Sequence, residues 1–476
     1  MIRRVYRAHP AMMISTIRPF LFVLILPVLK GVLQYAATGE VTGVLTLEVF
    51  AALWLVLSAV LGVRSFCVSG DDCRLIIKKG YVIRSVAVIR RERLSSVSVR
   101  RGVFDYLFGS VTYTVNTEAG IAGKTDFSFK IGAKHAEELS RFLYGDEECV
   151  QIRFPALKTA IFAAATSSAV TGLLVGVPVI NNAGRLLGVA LSRMFVSEIS
   201  RASSRFDDLF PPVVNLLTAV IVAGYTASFL ITLVKMFGFR VCVSGDKITV
   251  RYGFFVRRKT AFGKSAVNDV CVEQTTVMRL FGVFSVRAAV GGYGDRRGEK
   301  AVIVPAAKRS NVNEALRDCF GQAPACGGIE PERSFACAVR FLRPARWCAI
   351  ADIVLTALLS ALFPDAIGVT APAGVLAMAI TVLYGGVCLL AYRRGRLVLG
   401  EKTVAIGRRR LGMREMYCTK ERIGEIKITR TPADMAKGTC KVRLTVRSES
   451  ADSVRVQNLD YATVGKEIEK CFETGE

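Results

Sequence analysis

The chain has 476 residues, 52% of them apolar or aromatic, and a mean hydropathy of +0.40, yet 22% are charged. Lys and Arg number 64 against 39 Asp and Glu, a formal net charge of +25. So apolar an average beside that charge implies long apolar blocks separated by polar domains, which excludes a secreted soluble enzyme and a plain nucleic-acid binder. The basic excess then points to an anionic membrane surface.

A helix crossing about 30 Å of hydrocarbon needs about 20 apolar residues. Six stretches qualify, in three pairs: 17–37 with 44–63, 156–180 with 213–234, and 347–364 with 372–392. Loops 38–43 and 365–371 carry no Lys or Arg, whereas Arg64, Arg74, Lys78, Lys79, Arg240, Arg251, Arg393 and Arg394 follow the even spans. Positive charge stays inside, so both termini and the polar domains are expected on the cytoplasmic face of the membrane. The loop 181–212 is the exception. It carries Arg185, Arg193, Arg201 and Arg205 and reads as an amphipathic helix on the outer surface or one packed on the spans. Asp352 and Glu48 lie near span ends; Asp352 is expected to pair with Arg346 or Arg343. Lys30 can snorkel outward, and His9, before Pro10 at a span entry, reads as structural.

Each span pair is followed by a polar segment with a shared pattern. The first reads Cys67-Val-Ser-Gly-Asp71, then Gly80-Tyr-Val-Ile-Arg84; the second Cys242-Val-Ser-Gly-Asp246, then Gly253-Phe-Phe-Val-Arg-Arg258. The third reads Leu397-Val-Leu-Gly-Glu401, then Gly407-Arg-Arg-Arg410. Further on come Phe104-Asp-Tyr-Leu-Phe-Gly109 and Val277-Met-Arg-Leu-Phe-Gly282, with Asp434-Met-Ala-Lys-Gly438 as an altered third copy. Period-two alternation, as in Lys441-Val-Arg-Leu-Thr-Val-Arg447, predicts half-buried antiparallel strands. Glycines 80, 253 and 407 are expected in hairpin turns, and 133–143, 311–320 and 461–472 as closing helices.

Two spans, then this hairpin pattern, then Leu-Phe-Gly, strands and a final helix resemble the bacterial pleckstrin-homology domain proteins of the YdbS/YdbT-like membrane family. The resemblance implies a six-span α-helical membrane protein carrying three cytoplasmic PH-like α+β domains. Each would be a small antiparallel barrel capped by a C-terminal helix. The expected division is 1–63 (span pair), 64–145 (first domain), 146–237 (span pair), 238–320 (second domain), 321–394 (linker and span pair) and 395–476 (divergent third domain). The family implies no agreed ligand and no catalytic residues.

Three basic clusters fall on or after the second hairpin strand of each copy: Arg90, Arg91 and Arg93; Arg257, Arg258 and Lys259; Arg408, Arg409 and Arg410. As anionic-lipid contacts each charge near the surface is worth about 1 kcal/mol; the plainer reading is an orientation signal or a solvated strand face. The Leu-Phe-Gly motif is expected to pack a short helix onto the barrel. Gly291–Gly298 is rich in glycine but lacks the spacing of a nucleotide loop and reads as a hairpin. The thirteen cysteines form no CxxC pair and are expected as free thiols. No nucleophile–base pair, metal cluster or phosphate loop is legible, so neither catalysis, metal nor cofactor is expected. The leading expectation is a non-enzymatic membrane protein that scaffolds partners or senses anionic lipid, in envelope maintenance. A membrane-protein partner or homo-oligomer stays open, and nucleic acid is not expected. The alternative is a transporter or lipid-translocating protein, a class that shows polar residues at mid-span and broken helices.

Overall fold

The computed structural model describes residues 4–14, 43–71, 74–117 except 82, 126–144, 150–172, 212–294, 298–320, 342–362, 367–392, 395–409 except 401, 412–447 and 452–473, with a few isolated residues and 328–331 between them. In the first repeat the elements are β1 (Arg4–Arg7), α1 (Gly43–Ser65), β2 (Cys67–Asp71), β3 (Arg74–Lys79), β4 (Ser85–Arg90), β5 (Leu94–Arg101), α2 (Val103–Leu107), β6 (Ser110–Thr117), β7 (Phe127–Gly132) and α3 (Ala133–Tyr144). In the second they are β8 (Val150–Arg153), α4 (Ala156–Thr166), α5 (Pro212–Lys235), β9 (Arg240–Ser244), β10 (Lys247–Tyr252), β11 (Arg257–Gly263), β12 (Val267–Gln274), α6 (Thr276–Leu280), β13 (Phe284–Val290), β14 (Ala301–Ala307) and α7 (Arg309–Phe320). In the third they are α8 (Arg343–Leu362), α9 (Ile367–Tyr392), β15 (Arg396–Leu399), β16 (Thr403–Arg409), β17 (Met413–Thr419), β18 (Ile423–Thr429), α10 (Pro432–Met435), β19 (Thr439–Val446), β20 (Ser453–Asp460) and α11 (Tyr461–Glu473). The third copy keeps the strand pattern and the closing helix although its motifs differ.

Two features of the sheets were not legible as motifs. A strand before each of the first two span pairs joins the sheet that follows it: β1 pairs with β2, and β8 with β9. At the third copy this shrinks to a bridge between Ile329 and Leu397. Strands also pair across repeats, since β5 pairs with β11 and β12 with β17. The sheet orders are β1-β2-β3-β4, β7-β6-β5-β11-β10-β9-β8, β14-β13-β12-β17-β16-β15 and β18-β19-β20.

The chain accordingly divides into two compact units, and the division cuts the second repeat between its two sheets. One unit holds residues 1–153, 234–266 and 291–297. Its core joins Tyr6, Phe66, Val68, Leu75, Ile77, Tyr113, Phe129, Ile131 and Leu139, all shielded from solvent. All but Phe66, which links α1 to β2, come from the apolar side of an alternating strand or from the inner face of α3, as the period-two pattern requires. The other unit holds 154–233, 267–290 and 298–476. Its core joins Val404, Ile406, Met416, Val442, Leu444, Leu459 and Val464 with Cys271, which β12 contributes from the preceding repeat.

Two described helical segments, Thr218–Lys235 and Ala345–Leu362, are long and apolar enough to cross a membrane. The expected span 17–37 lies almost wholly outside the described residues, as does most of the loop 181–212. The expected span 156–180 departs from a continuous helix. α4 packs on β14 and α6, which buries Phe162 and Ala163, and then breaks at Ser167–Ser168. The Ser168 amide donates to Ser228 Oγ of α5 at 3.2 Å, and Tyr225 Oη donates to the Ala164 carbonyl at 2.7 Å. Side chains of α5 thus take up backbone groups that the break releases.

Four further expectations are corrected. Gly407 lies inside β16, opposite Arg396 and Glu415, and the strand runs on to Arg409. A Cβ on Gly407 would sit 3.1 Å from Glu415 Cγ and 3.3 Å from Arg396 Cγ, so the glycine makes room for the ion pair over it. Among the described side chains Asp352 pairs with no arginine, Arg346 included (the Arg343 side chain lies outside them): its Oδ2 accepts from Thr381 Oγ1 at 2.6 Å, tying α8 to α9. Cys67, Cys271, Cys348, Cys418, Cys440 and Cys471 are free, but Cys242 is held in a disulfide. Finally, the Leu-Phe pairs do not anchor their helices to the barrel, as described next.

Candidate functional site

After β5 and after β12 the chain makes one short helix and a glycine in the left-handed region, Gly109 (φ 65°) and Gly282 (φ 62°). In the first copy Asp105 holds the helix start. It accepts from the Gly102 amide (3.0 Å), Ser110 Oγ (3.0 Å) and Lys130 Nζ (2.8 Å). Burial pushes its carboxyl up, but the bonds from Lys130, Gly102 and Ser110 outweigh this and hold it below the ordinary range. Asp434 does the same in the third copy through Thr431, and Gly438 (φ 67°) ends that helix. The altered motif therefore keeps its structural parts and loses only the Leu-Phe pair.

That pair points to solvent. Leu107 is 76% exposed and Leu280 82%, and Phe104, Phe108 and Phe281 are exposed beside them. The hairpin tips behave alike: Tyr81 and Ile83 in the first copy, Phe254 and Phe255 in the second. Gly80 (φ 98°) and Gly253 (φ 114°) make these tips possible, because a Cβ on Gly253 would lie 1.9 Å from the Val256 carbonyl oxygen. Leu-Phe-Gly and Gly-aromatic are thus surface motifs, since the turns that glycine permits turn their neighbours outward.

Pairing of β5 with β11 brings the first repeat's short helix and the second repeat's tip together. Arg101 and Arg257 face each other in the ladder, as do Arg100 and Arg258. The Arg101 guanidinium lies 4.1 Å from the Tyr106 ring centroid and that of Arg257 5.8 Å, so one ring serves two cations. Phe237, two residues beyond α5, meets Phe254 edge-on at 5.1 Å, and its carbonyl accepts from the Gly253 amide at 2.9 Å. The tip is therefore fastened to the end of an apolar 24-residue helix. Exposed aromatics and arginines at such a helix end are the composition of a membrane–water interface.

At the β12–β17 junction the corresponding place is open. A cavity of about 560 Å³ is lined by Arg408, Arg414, Arg443 and Arg455, with Glu273 its one acidic group, and by Gly395, three residues after α9 ends. Arg414 is drawn towards Glu273 (3.6 Å) and Asp452 (3.8 Å). Arg408, Arg443 and Arg455 make no ion pair among the described residues. Beneath them Glu415 accepts from Arg309 (2.8 Å), Arg396 (2.9 Å) and Tyr417 Oη (2.9 Å). Burial raises its carboxyl, the two guanidiniums more than offset this, and the group stays ionised.

The expected lipid contacts divide accordingly. Arg90 is exposed at the end of β4, and Arg91 and Arg93 are exposed in the 3-10 turn after it. Arg257 belongs to the surface, and Arg258 Nε donates to Ser98 Oγ at 3.3 Å. Lys259 is half-buried in the ladder, and burial with Arg251 nearby lowers its pKa. Arg408 lines the cavity; the side chains of Arg409 and Arg410 lie outside the described ones. Sequence reasoning missed Arg101, Arg414, Arg443 and Arg455: pairing across repeats sets Arg101 against Arg257, while pairing of β16 with β17 and of β19 with β20 inside the third copy sets Arg414 against Arg408 and Arg455 against Arg443.

A family model described as the bacterial PH domain matches residues 20–147, 182–321 and 350–468. Neither curated proteins nor solved structures returned a match.

Proposed function

Because the chain belongs to the bacterial PH domain family, in three tandem copies, we propose that it is a non-enzymatic, multi-pass membrane protein whose PH-like domains read anionic lipid headgroups at the cytoplasmic face. Six spans place both termini and all three domains inside. The supporting observation is the arginine-lined cavity three residues from the end of α9. Arginine forks match phosphate oxygens, and a cavity so close to an apolar helix meets headgroups before any soluble anion. The exposed Leu-Phe and Phe-Phe pairs supply apolar insertion. Scaffolding of partners is the other activity open to such domains.

The test uses the full chain, delipidated in neutral detergent and titrated with phosphatidylglycerol or phosphatidylcholine under native mass spectrometry. Tighter binding of the anionic lipid, weakened by salt, is expected. The triple change Arg408→Gln, Arg443→Gln, Arg455→Gln removes about 1 kcal/mol per charge. Equal binding of both lipids returns the arginines to orientation signals. For topology, cysteines replacing Thr42 or Thr370 should react with an impermeant thiol reagent outside intact cells, and cysteines replacing Ala133 or Thr463 should not.

The break at Ser167–Ser168 favours a second reading, a lipid-translocating protein. It requires that the purified chain accelerate movement of a labelled lipid between leaflets of a vesicle.

A further inference from the structure

We propose that copies of this chain join head to tail by pairing β18 of one copy with β4 of the next. The two internal junctions are the template. At each, the strand before one repeat's 3-10 turn (the fourth, counting the Ile329 bridge as the third copy's first) pairs antiparallel with the strand after the preceding repeat's turn (the fifth), β11 with β5 and β17 with β12. Both junctions use one register. Ala261 and Tyr417, three residues before the 3-10 turns that start at Lys264 and Lys420, meet Val97 and Val270, six residues after the turn starts at Arg91 and Lys264.

Three repeats joined this way leave one fourth strand and one fifth strand over. Among the described residues β4 pairs only with β3, and β18 only with β19. These are complementary edges of a heterologous contact, which closes into rings or runs on as chains rather than stopping at a two-fold dimer. The shared register would set Val88 against Ile426 and Val86 against Ile428. Val86 and Val88 are 57% and 55% exposed, and Ile428 is 37% exposed. The covered strands carry Lys259 and Glu415 where β4 carries Val86, so the free edge is more apolar than either covered one. At the internal junctions the matching residues, Ala261 with Val97 and Tyr417 with Val270, are buried.

On the other face Ala87 would meet Lys427, and Ile89 would meet Glu425. Ala87 leaves room for the lysine stem. Glu425 lies two residues from Lys427 on the same face, so both charges enter together. The second junction holds a comparable pair, with Lys300 Nζ 2.6 Å from Asp269, the counterpart of Glu425.

The test uses the full chain, purified and returned to nanodiscs or detergent. Variants Val88→Cys and Ile426→Cys are prepared separately, with the wild-type chain and its thirteen cysteines as background. A short thiol cross-linker should join chains only when the two variants are mixed. Sedimentation should show a mass above the monomer that grows with concentration. Val88→Asp should weaken that association about tenfold or more, because it sets a carboxylate against Ile426 where the internal junctions bury Ala261 and Tyr417, and the single chain accepts it, since Val88 is 55% exposed. A monomer at every concentration overturns the proposal, as does self-cross-linking of either variant alone or an unchanged mass in Val88→Asp. Cross-linking of the double variant confined to the monomer band also overturns it, because β4 would then be covered within one chain.

Discussion

Asp105 shows how one buried carboxylate can define a repeat. It satisfies an amide, a hydroxyl and an ammonium at the start of a five-residue helix that cannot hold itself together. Asp105→Asn keeps the shape and loses the charge, so a loss of about 1.5–3 kcal/mol is expected in chemical unfolding. The pH dependence has a definite sign. A carboxyl held low in the folded state stabilises above its unfolded value, and that gain disappears as pH falls through the lower folded value. The wild type and Asp105→Asn should therefore differ most near neutrality and converge in acid. Glycines test the turns. Gly253→Asn meets the Val256 carbonyl and should cost more than about 1 kcal/mol, whereas Gly109→Asn, with nothing within 4 Å of its Cβ, should be nearly neutral by thermal unfolding. Burial pushes the Cys271 and Cys440 thiols up to about 11 and Cys418 up to about 12, so these three should stay unmodified by thiol reagents at neutral pH.

Among the elements, the short helices α2 and α6 separate packing from binding. Had Leu107 and Phe108 been core residues, polar replacement would cost several kcal/mol. Exposed as they are, the double change Leu107→Ser, Phe108→Ser should leave thermal unfolding within about 0.5 kcal/mol of wild type. Its binding to vesicles or lipid should fall instead, and a large loss of stability would restore the packing role. The motif was visible in the sequence as a repeat, yet its direction was not. The same Leu-Phe pair can face in or out, and the choice depends on the left-handed glycine and on what the neighbouring strand has already covered.

For the whole molecule, strand pairing across repeats makes the second repeat dependent on both neighbours. Excised as 238–320, it would lose β8 and expose the outer edges of β11 and β12. Such edges invite pairing with other chains. The fragment should therefore aggregate or associate on size-exclusion chromatography, while the full chain unfolds cooperatively; a monomeric, cooperatively folded fragment would contradict the pairing.

By itself the sequence determined the three copies, the alternating strands, the closing helices and the apolar blocks. Each rests on a local period, two residues for a strand and about twenty apolar residues for a span, which tertiary context shifts but does not erase. Tertiary structure alone decided which strands share a sheet. Hydrogen-bonding edges carry no residue signature: Val97 opposite Ala261 and Val270 opposite Tyr417 look no different in sequence from partners inside one repeat. Pairing of β16 with β17 and of β19 with β20 likewise set Arg414 against Arg408 and Arg455 against Arg443. A cluster of charge can be counted along a chain, but a site exists only where separate strands bring their side chains to one place.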